Sequence, residues 1–384
     1  MDRNKDFTLL DLFCGAGGLT TGFELENFKS LCAIDINKDA LVTYAKNFNS
    51  ANVICDDIRK IAPFDLRLSL GLKKESLSII IGGPPCQGFS RNVPAGYRYL
   101  NDPRNLLYNT YLSFVDEFRP LYVVMENVPE ILNAYDGVVK NQIVQSLSAM
   151  GYNVSYMSLN AAFYGVPQTR SRAFFIGCLA STIVDTPKQT HYGNVRSLTE
   201  ADIQLPISNV LKPLVTVSDA ISDLPPLNAG DEYTGDKYPN RATSEYQKIL
   251  RVGSTTLVNH MAKKLSPVQL ARAKSLKEGQ DARDLPKELA PKKYYSGAYG
   301  RLYWNKPSRT ITKWVFHPGS GRFFHPTQHR TITIREAARL HSYPDKFHFT
   351  GSYTKMAAQI GESVPPLLAK VIASSIKEHY FLHH

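Results

Sequence analysis

One cysteine, Cys86, stands in a sequence context that favours chemistry over packing. An apolar run at residues 79–81 leads into Gly-Gly-Pro-Pro-Cys-Gln-Gly-Phe-Ser at residues 82–90. A buried strand ending here would bring Cys86 to the carboxyl edge of a sheet, where α/β proteins bind ligands. Two prolines restrict the preceding backbone, and the glycines leave room for a flat ligand. Most cysteines are small buried residues, but this rigid loop predicts a nucleophilic thiolate.

Residues after three other predicted strands suit a nucleoside cofactor. The first strand runs into Phe-Cys-Gly-Ala-Gly-Gly at residues 13–18, where glycines allow close approach of the backbone to a ligand. Asp35 ends the second strand, 20 residues after Gly15, and can accept hydrogen bonds from ribose hydroxyls. Asp57 and Ile58 follow the third strand and could hold an adenine amino group. Alone, this pattern fits NAD as well as S-adenosylmethionine.

The order of elements predicts an α/β fold. Apolar runs at 8–13, 31–35, 52–55, 78–82, 122–125 and 173–177 read as strands, and amphipathic patterns at 38–49 and 105–118 read as helices. Repeated strand–helix–strand units predict a doubly wound, mostly parallel sheet. Prolines, glycines and tyrosines accumulate after about residue 187, and helical patterns return at 333–341 and 365–378. We therefore expect a catalytic domain, 1–187 plus 326–384, and a smaller irregular domain at 188–325.

The positive charge of the chain is concentrated in one segment. The net charge is +11, and residues 231–330 carry 19 Lys and Arg against 8 Asp and Glu. Both tryptophans, Trp304 and Trp314, also lie there. A basic excess often reflects solubility alone, but its confinement to one segment favours a polyanion such as nucleic acid.

Several compartments and site types are disfavoured by composition. No apolar run reaches the length of about 18 residues that a membrane span needs. The polar N-terminus lacks a signal-peptide layout, which predicts a cytoplasmic protein. The five cysteines are odd in number and include no Cys-x-x-Cys pair. We therefore expect neither a disulfide framework nor a metal site.

Six segments together resemble the motifs of DNA cytosine-5 methyltransferases. Pro-Pro-Cys-Gln-Gly-Phe-Ser around Cys86 looks like their nucleophile motif, and residues 13–18 resemble their cofactor loop. Glu126-Asn127-Val128 matches their Glu-Asn-Val motif, and residues 168–172 match Gln-x-Arg-x-Arg. Residues 335–345 are similar to the motif after their recognition domain, and residues 359–366 resemble their last motif. The segments occur in family order and bracket almost the entire chain.

The resemblance implies the reaction and a role for each matched residue. S-adenosylmethionine would donate a methyl group to C5 of a cytosine flipped out of a specific double-stranded DNA sequence, after Cys86 adds to C6. Glu126 would relieve charge at N3, Arg172 would lie near O2, and Arg170 would support the loop. These four residues form the expected catalytic set. The expected cofactor contacts are Phe13, Gly15, Ala16, Gly17, Gly18, Asp35, Ile36, Asp57, Ile58, Pro85, Leu107, Glu362, Ser363 and Val364.

The chain departs from the family pattern at two of those positions. Glu362 stands where the last motif usually has Asn, and Ile36 stands where an aromatic residue often stacks on adenine. Both departures concern details of cofactor contact and leave the expected reaction unchanged.

Duplex DNA is the expected partner of the irregular domain. The segment at 308–312 contains a Thr-Ile pair that resembles a short signature of family recognition domains. Basic side chains around it would contact phosphates and a few would read bases. The expected DNA contacts are Gln87, Ser90, Arg301, Arg309, Lys313 and Arg322. The layout also predicts a monomeric bacterial restriction-modification enzyme in the nucleoid-containing cytosol, with a cognate restriction endonuclease in the same system.

Three alternatives remain open from the sequence alone. An NAD-dependent oxidoreductase would share the sheet but would leave the Cys86 loop and the basic segment unexplained. A branch of the same family methylates tRNA, so an RNA (tRNA) cytosine-5 methyltransferase is the main alternative. A catalytically silent DNA-binding module would not need Cys86, Glu126 and Arg172 together.

Overall fold

Strands and helices alternate along the first half of the chain in a computed structural model, which describes residues 6–85, 107–195 and 211–383. The strands are β1 (Phe7–Leu12), β2 (Phe28–Asp35), β3 (Asn52–Cys55), β4 (Ile79–Gly82), β5 (Tyr122–Asn127), β6 (Asn153–Asn160), β7 (Gln168–Thr169), β8 (Ser171–Cys178), β9 (His191–Tyr192), β10 (Lys212–Pro213) and β11 (Ser308–Arg309). The α-helices are α1 (Gly18–Glu24), α2 (Lys38–Asn47), α3 (Pro63–Ser69), α4 (Leu107–Phe118), α5 (Val138–Ala149), α6 (Val217–Ile221), α7 (Glu245–Arg251), α8 (Pro267–Ser275), α9 (Ile334–Leu340), α10 (Tyr353–Glu362) and α11 (Pro366–His383).

Within these described ranges, seven strands form one sheet in the order β3-β2-β1-β4-β5-β8-β6. The first five strands in this order are parallel, and β8 is antiparallel to both of its neighbours. The predicted doubly wound, mostly parallel sheet is therefore confirmed. The strand order reverses between β1 and β4, and ligands bind at the carboxyl ends of strands at such a point.

Local sequence explains why these elements form. All three isoleucines of β4 are fully buried, as expected for a strand that is covered on both faces. The Asn37 side chain accepts hydrogen bonds from the amides of Asp39 and Ala40 and so caps α2. Tyr44, one turn further along α2, is buried. The end of β2 and the start of α2 are thus fixed within a few residues of Asp35.

The chain divides into two compact units. Unit 1 lies within residues 1–160, 171–188 and 368–384 and holds the seven-stranded sheet; unit 2 lies within residues 161–170 and 189–367. These bounds differ from the expected ones, because residues 326–367 fall in unit 2. The assignment of chemistry to one part of the chain and recognition to another stays a prediction.

Helix α9 of unit 2 is buried along its entire length although three of its seven residues are charged. Glu336 pairs with Arg330 at 2.7 Å, and Arg339 pairs with Asp345 at 2.6 Å. Arg335 lies 3.7 Å from Asp345 and donates to backbone carbonyls, including that of Phe347 at 2.7 Å. Buried charges need partners of this kind, so the charged motif at 335–345 is part of the core of unit 2.

Candidate active site

The turn after β1 has an unusual backbone conformation. Phe13, Gly15 and Gly17 have φ values of 62°, 53° and 91°, so three of five consecutive residues are left-handed. A Cβ atom on Gly17 would overlap the Phe48 ring, whereas one on Gly15 would meet no atom within 4 Å. Glycine is therefore required at 17 by packing and leaves the backbone of residue 15 open to a ligand. Ala16 and Gly18, the other expected contacts in the turn, are buried.

Asp35 fastens this turn to the end of β2. Its Oδ2 atom accepts a hydrogen bond from the Gly15 amide at 2.8 Å, and its Oδ1 atom accepts one from the Asn37 amide at 2.8 Å. The next side chain, Ile36, is 71% exposed. A carboxylate and an exposed apolar side chain thus lie beside the glycine turn. This arrangement suits the ribose and the base of a nucleoside.

Asp57 is already engaged at the end of β3. Its carboxylate accepts from the Arg59 amide at 3.0 Å and pairs with the Arg59 guanidinium at 2.5 Å. These hydrogen bonds lower the pKa of Asp57 to about 2. Ile58 is buried. β1, β2 and β3 are parallel neighbours, so the expected cofactor residues of these strands lie at one edge of the sheet, but Asp57 would have to share its carboxylate with Arg59.

A buried carboxyl group that sequence reasoning missed lies beneath the turn. Asp11, near the carboxyl end of β1, is fully buried and accepts a hydrogen bond from the Thr20 hydroxyl of α1 at 2.6 Å. The Tyr44 hydroxyl lies 3.0 Å from the Thr20 hydroxyl and 2.9 Å from that of Ser30. Burial raises the pKa of Asp11 to about 8. A single acid in an apolar run just before a glycine turn was the available signal.

The loop that leads to Cys86 is attached to the end of β5. Cys86 lies outside the described residues, as do Gln87 and Ser90. The Asn127 side chain donates to the Pro84 carbonyl at 2.9 Å. A Cβ atom on Gly83 would lie 2.7 Å from Oε2 of Glu126. The Glu126 carboxyl group therefore lies against the backbone of residue 83, three residues before Cys86 along the chain.

Glu126 is paired with an arginine of the adjacent strand. Nε of Arg172 lies 2.8 Å from Oε1 of Glu126, and the two side chains are 16% and 13% exposed. Nη1 of Arg172 also donates to the Ser171 carbonyl at 2.8 Å. The structure thus brings together two of the four expected catalytic residues. Two expected cofactor contacts flank the segment that contains Cys86. Pro85, before it, is exposed, and Leu107, after it, is half-buried against the core of unit 1.

Arg170 differs from the rest of the expected catalytic set. It belongs to unit 2 and is only 1% exposed. Its guanidinium donates to the carbonyls of Ile311 at 2.8 Å, Gly361 at 2.9 Å and Ser363 at 3.0 Å. These bonds hold two separate backbone segments together. Arg170 is therefore a positioning residue, which agrees with its expected support of a loop but not with direct contact with the reacting base.

The other expected cofactor contacts of unit 2 lie at the end of α10. Glu362 is about half exposed and forms an ion pair with Lys313 at 3.0 Å. The Ser363 hydroxyl donates to the Ile360 carbonyl at 2.8 Å, and Val364 is buried. The departure at 362 thus introduces a carboxylate that is paired within unit 2, and contact of these residues with a cofactor stays a prediction.

Two expected DNA contacts are corrected by the structure. Arg301 is 1% exposed and donates to four backbone carbonyls, including those of Leu276 and His325. Arg322 is 5% exposed, donates to carbonyls and pairs with Asp281 at 3.0 Å. Both guanidinium groups are bonded inside unit 2, so these residues support its core rather than offering their donors to DNA. Sequence alone could not distinguish a buried, internally bonded arginine from an exposed one.

The remaining expected DNA contacts within the described residues, Arg309 and Lys313, are exposed, as is Trp314 at 54%. No helix in the described ranges has the length and apolar character to cross a membrane. Within the same ranges, no cluster of His, Cys, Asp and Glu side chains could bind a metal ion.

Comparison with known proteins identifies the family. The model for C-5 cytosine-specific DNA methylases matches residues 7–378. The type II methyltransferase M.AgeI of Thalassovita gelatinovora is 34% identical over 96% of this chain and 98% of its own length. The type II methyltransferase M.DdeI of Desulfomicrobium norvegicum is 34% identical over 97% of this chain and 89% of its own.

A solved structure described as a DNA modification methyltransferase from an E. coli prophage superposes with a TM-score of 0.74. It is 25% identical and covers 97% of this chain and 99% of its own. The family description names DNA, which favours DNA over RNA as the substrate. The chain belongs to the family of C-5 cytosine-specific DNA methylases, which methylate carbon 5 of cytosine in DNA.

Proposed function

We propose that this DNA (cytosine-5) methyltransferase acts through a covalent bond between Cys86 and C6 of the target cytosine, with S-adenosylmethionine as methyl donor. The observation that carries the proposal is the Glu126–Arg172 pair, at 2.8 Å, beside the backbone that leads to Cys86. A carboxyl group and a guanidinium at this point suit a cytosine ring, which offers an amine, N3 and O2 along one edge.

The proposed reaction begins at Cys86, because C5 of cytosine is a weak nucleophile. The thiolate adds to C6, and the electron pair of the C5–C6 bond moves toward N3 and O2. The Glu126 carboxyl group shares a proton with N3 and accepts a hydrogen bond from the exocyclic amine. Arg172 holds Glu126 and stabilises the charge at O2.

Methyl transfer and release complete the cycle. C5 of the covalent adduct takes the methyl group, whose bond to the sulfonium sulfur breaks to leave a neutral thioether. A base then removes the C5 proton, and the C6–sulfur bond breaks to regenerate the Cys86 thiolate. C6 cannot be reached in a stacked duplex, so the cytosine is flipped out before attack.

The residues beside the glycine turn fit the proposed cofactor. Asp35 would accept hydrogen bonds from the ribose hydroxyls, Ile36 would contact the adenine face, and the open backbone at Gly15 would lie against the ligand. S-adenosylmethionine supplies an electrophilic methyl group when bound. Asp57 would share its carboxylate between Arg59 and the adenine amine.

The proposed biological setting is bacterial restriction-modification. The type II relatives support duplex DNA as substrate and a cognate endonuclease that cuts the same sequence when it is unmethylated. We propose that the enzyme works as a monomer on nucleoid DNA in the bacterial cytosol. We also propose that residues 188–325 choose the target sequence, since they contain the basic excess.

The test is to express the wild type and Cys86→Ser in a host without cytosine methylation and to sequence 5-methylcytosine in DNA and RNA. We expect methylation of one DNA sequence by the wild type and none by Cys86→Ser, with both proteins binding DNA. Methylation by Cys86→Ser at the wild-type level would contradict the mechanism. Methylation confined to RNA would contradict the substrate.

A further inference from the structure

A cavity of about 420 Å³ in unit 2 is lined in part by an arginine that is not bonded to any residue in the described part of the unit. Its wall includes Arg309 of β11 and the neighbouring Lys306, and its lining also includes Tyr295, Gly297 and the buried Arg322. We call it the Arg309 pocket. Its volume lies in the range of about 300–1,000 Å³ that is typical of ligand sites.

Arg309 differs from the buried arginines of the same unit. Arg301, Arg322, Arg330 and Arg339 each donate to carbonyls or carboxylates inside the unit. Arg309 is exposed, and its side chain forms no hydrogen bond or ion pair with any residue that the structure describes. Among the described residues, nothing competes with a ligand for the donors of its guanidinium.

The charge of the pocket is positive and is not neutralised by its own wall. Arg322 is paired with Asp281, but Lys306 and Arg309 also line the pocket, and its described lining contains no Asp or Glu. The charge of Arg309 adds to burial in lowering the pKa of Arg322, as expected for two nearby guanidinium groups. The pocket thus favours a ligand with electron-rich acceptor atoms.

Two hydroxyl groups of the pocket favour a nucleobase over a phosphate. The Thr310 hydroxyl donates to the Thr169 carbonyl at 2.8 Å, and that of Ser320 donates to the Trp314 carbonyl at 2.6 Å. With their protons committed, these oxygens can only accept hydrogen bonds. A DNA phosphodiester is ionised at neutral pH and has no proton to donate to these oxygens, whereas a base has N–H groups. Tyr295, 56% exposed, adds a ring on which a base can stack.

We propose that the Arg309 pocket binds a guanine of the recognition sequence. Arg309 donates to O6 and N7 of that base, the arrangement that a planar guanidinium matches best. Tyr295 contacts its ring, and Lys306 contacts the adjoining phosphate. The inference rests on the proposed function, in which unit 2 residues select the target sequence.

The variant that tests it is Arg309→Lys, which keeps the charge but removes the planar pair of donors. Arg241→Lys is the matched control, because Arg241 is exposed in the same unit and does not line the pocket. The substrate is a library of duplexes randomised around the wild-type target, and methylated products are sequenced. We expect Arg309→Lys to lose roughly five- to 150-fold of its preference for guanine at one position. Binding to non-target DNA and its salt dependence should stay unchanged.

Two outcomes would overturn the proposal. Wild-type preference in Arg309→Lys would show that the guanidinium fork reads no base. A second variant, Arg309→Ala, would reveal a phosphate contact if its affinity fell by the same factor for every sequence, with a salt slope reduced by about one unit.

Tyr295→Leu should reduce the same preference without lowering the thermal unfolding midpoint. Methylation of DNA by the wild type tests the proposed function separately, because it does not depend on Arg309.

Discussion

At the scale of single residues, Asp35 links the proposed cofactor site to the backbone that forms it. One carboxylate oxygen accepts from the Gly15 amide and the other from the Asn37 amide, so Asp35 both shapes the turn and borders the open backbone there. Its position could be predicted because it ends an apolar strand, and a strand end fixes where a side chain lies. The ion pair between Asp57 and Arg59 could not be predicted in the same way.

We predict that Asp35→Ala weakens S-adenosylmethionine binding by about 1–3 kcal/mol, the range for hydrogen bonds to a charged group. Asp35→Asn should lose less, because one acceptor oxygen remains. Isothermal titration calorimetry measures both, with Asp65→Ala as the control, since Asp65 is an exposed carboxylate in α3. Unchanged affinity in a folded Asp35→Ala protein would exclude Asp35 from the cofactor site.

At the scale of elements, two arginines of one short motif serve different parts of the molecule. Arg170 belongs to unit 2 and donates to three backbone carbonyls there. Arg172, on β8, pairs with Glu126 on β5. The motif Gln-x-Arg-x-Arg therefore combines a residue that positions backbone with one that borders the proposed reacting base.

We predict that lysine substitutions of Arg170 and Arg172 affect different properties, stability for Arg170 and turnover for Arg172. Arg170→Lys should lower the free energy of unfolding by about 1–3 kcal/mol, because a lysine leaves buried carbonyls without donors. Arg172→Lys should lower kcat by roughly 10²-fold with little change in stability, because a point charge cannot hold Glu126 and stabilise O2 together. Chemical denaturation and single-turnover methylation separate the two effects. Equal losses of stability in both variants would contradict the assignment of a positioning role to Arg170 and of a role in the reaction to Arg172.

The elements that position the site were predictable because they are apolar. The central strands β1, β4 and β5 are mostly apolar and buried, and all of the strands β1 to β5 were expected from sequence, including the more exposed edge strand β3. β6 was missed because it contains no continuous apolar run, and its alternation of polar and apolar residues, which is itself a strand pattern, was not used. Arg301 and Arg322 were misassigned because their partners are backbone carbonyls, which no sequence pattern reveals.

At the scale of the whole molecule, the two units contain buried groups with opposite responses to pH. Burial raises the pKa of Asp11 in unit 1 to about 8, so the folded state keeps a proton that the unfolded state loses above about pH 4. Burial lowers the pKa of His325 in unit 2 to about 3. Below about pH 6.5 the unfolded state therefore binds a proton at this residue, whereas the folded state does not until the pH approaches 3. Asp11 therefore reduces stability as pH rises, and His325 reduces it as pH falls.

We predict that Asp11→Asn makes the unfolding midpoint less sensitive to pH between 5 and 8. The amide cannot ionise in the unfolded state, so the loss of stability that Asp11 causes over this interval disappears. Differential scanning calorimetry at both pH values measures the change, and Asp65→Asn serves as an exposed control. Parallel pH profiles for wild type and Asp11→Asn would contradict the assignment of a buried, protonated carboxyl group to residue 11.

The central claim, covalent catalysis by Cys86, is tested most directly by a trapping measurement. DNA with 5-fluorocytosine at the target position has no C5 proton to remove after methyl transfer, so the C6–sulfur bond should persist. The account predicts an adduct of wild-type protein with this DNA, dependent on S-adenosylmethionine and resistant to denaturant, with peptide mass spectrometry locating it at Cys86. Ordinary cytosine and Cys86→Ser should give none. Absence of an adduct from protein that methylates ordinary DNA, or an adduct at any other residue, would contradict the account.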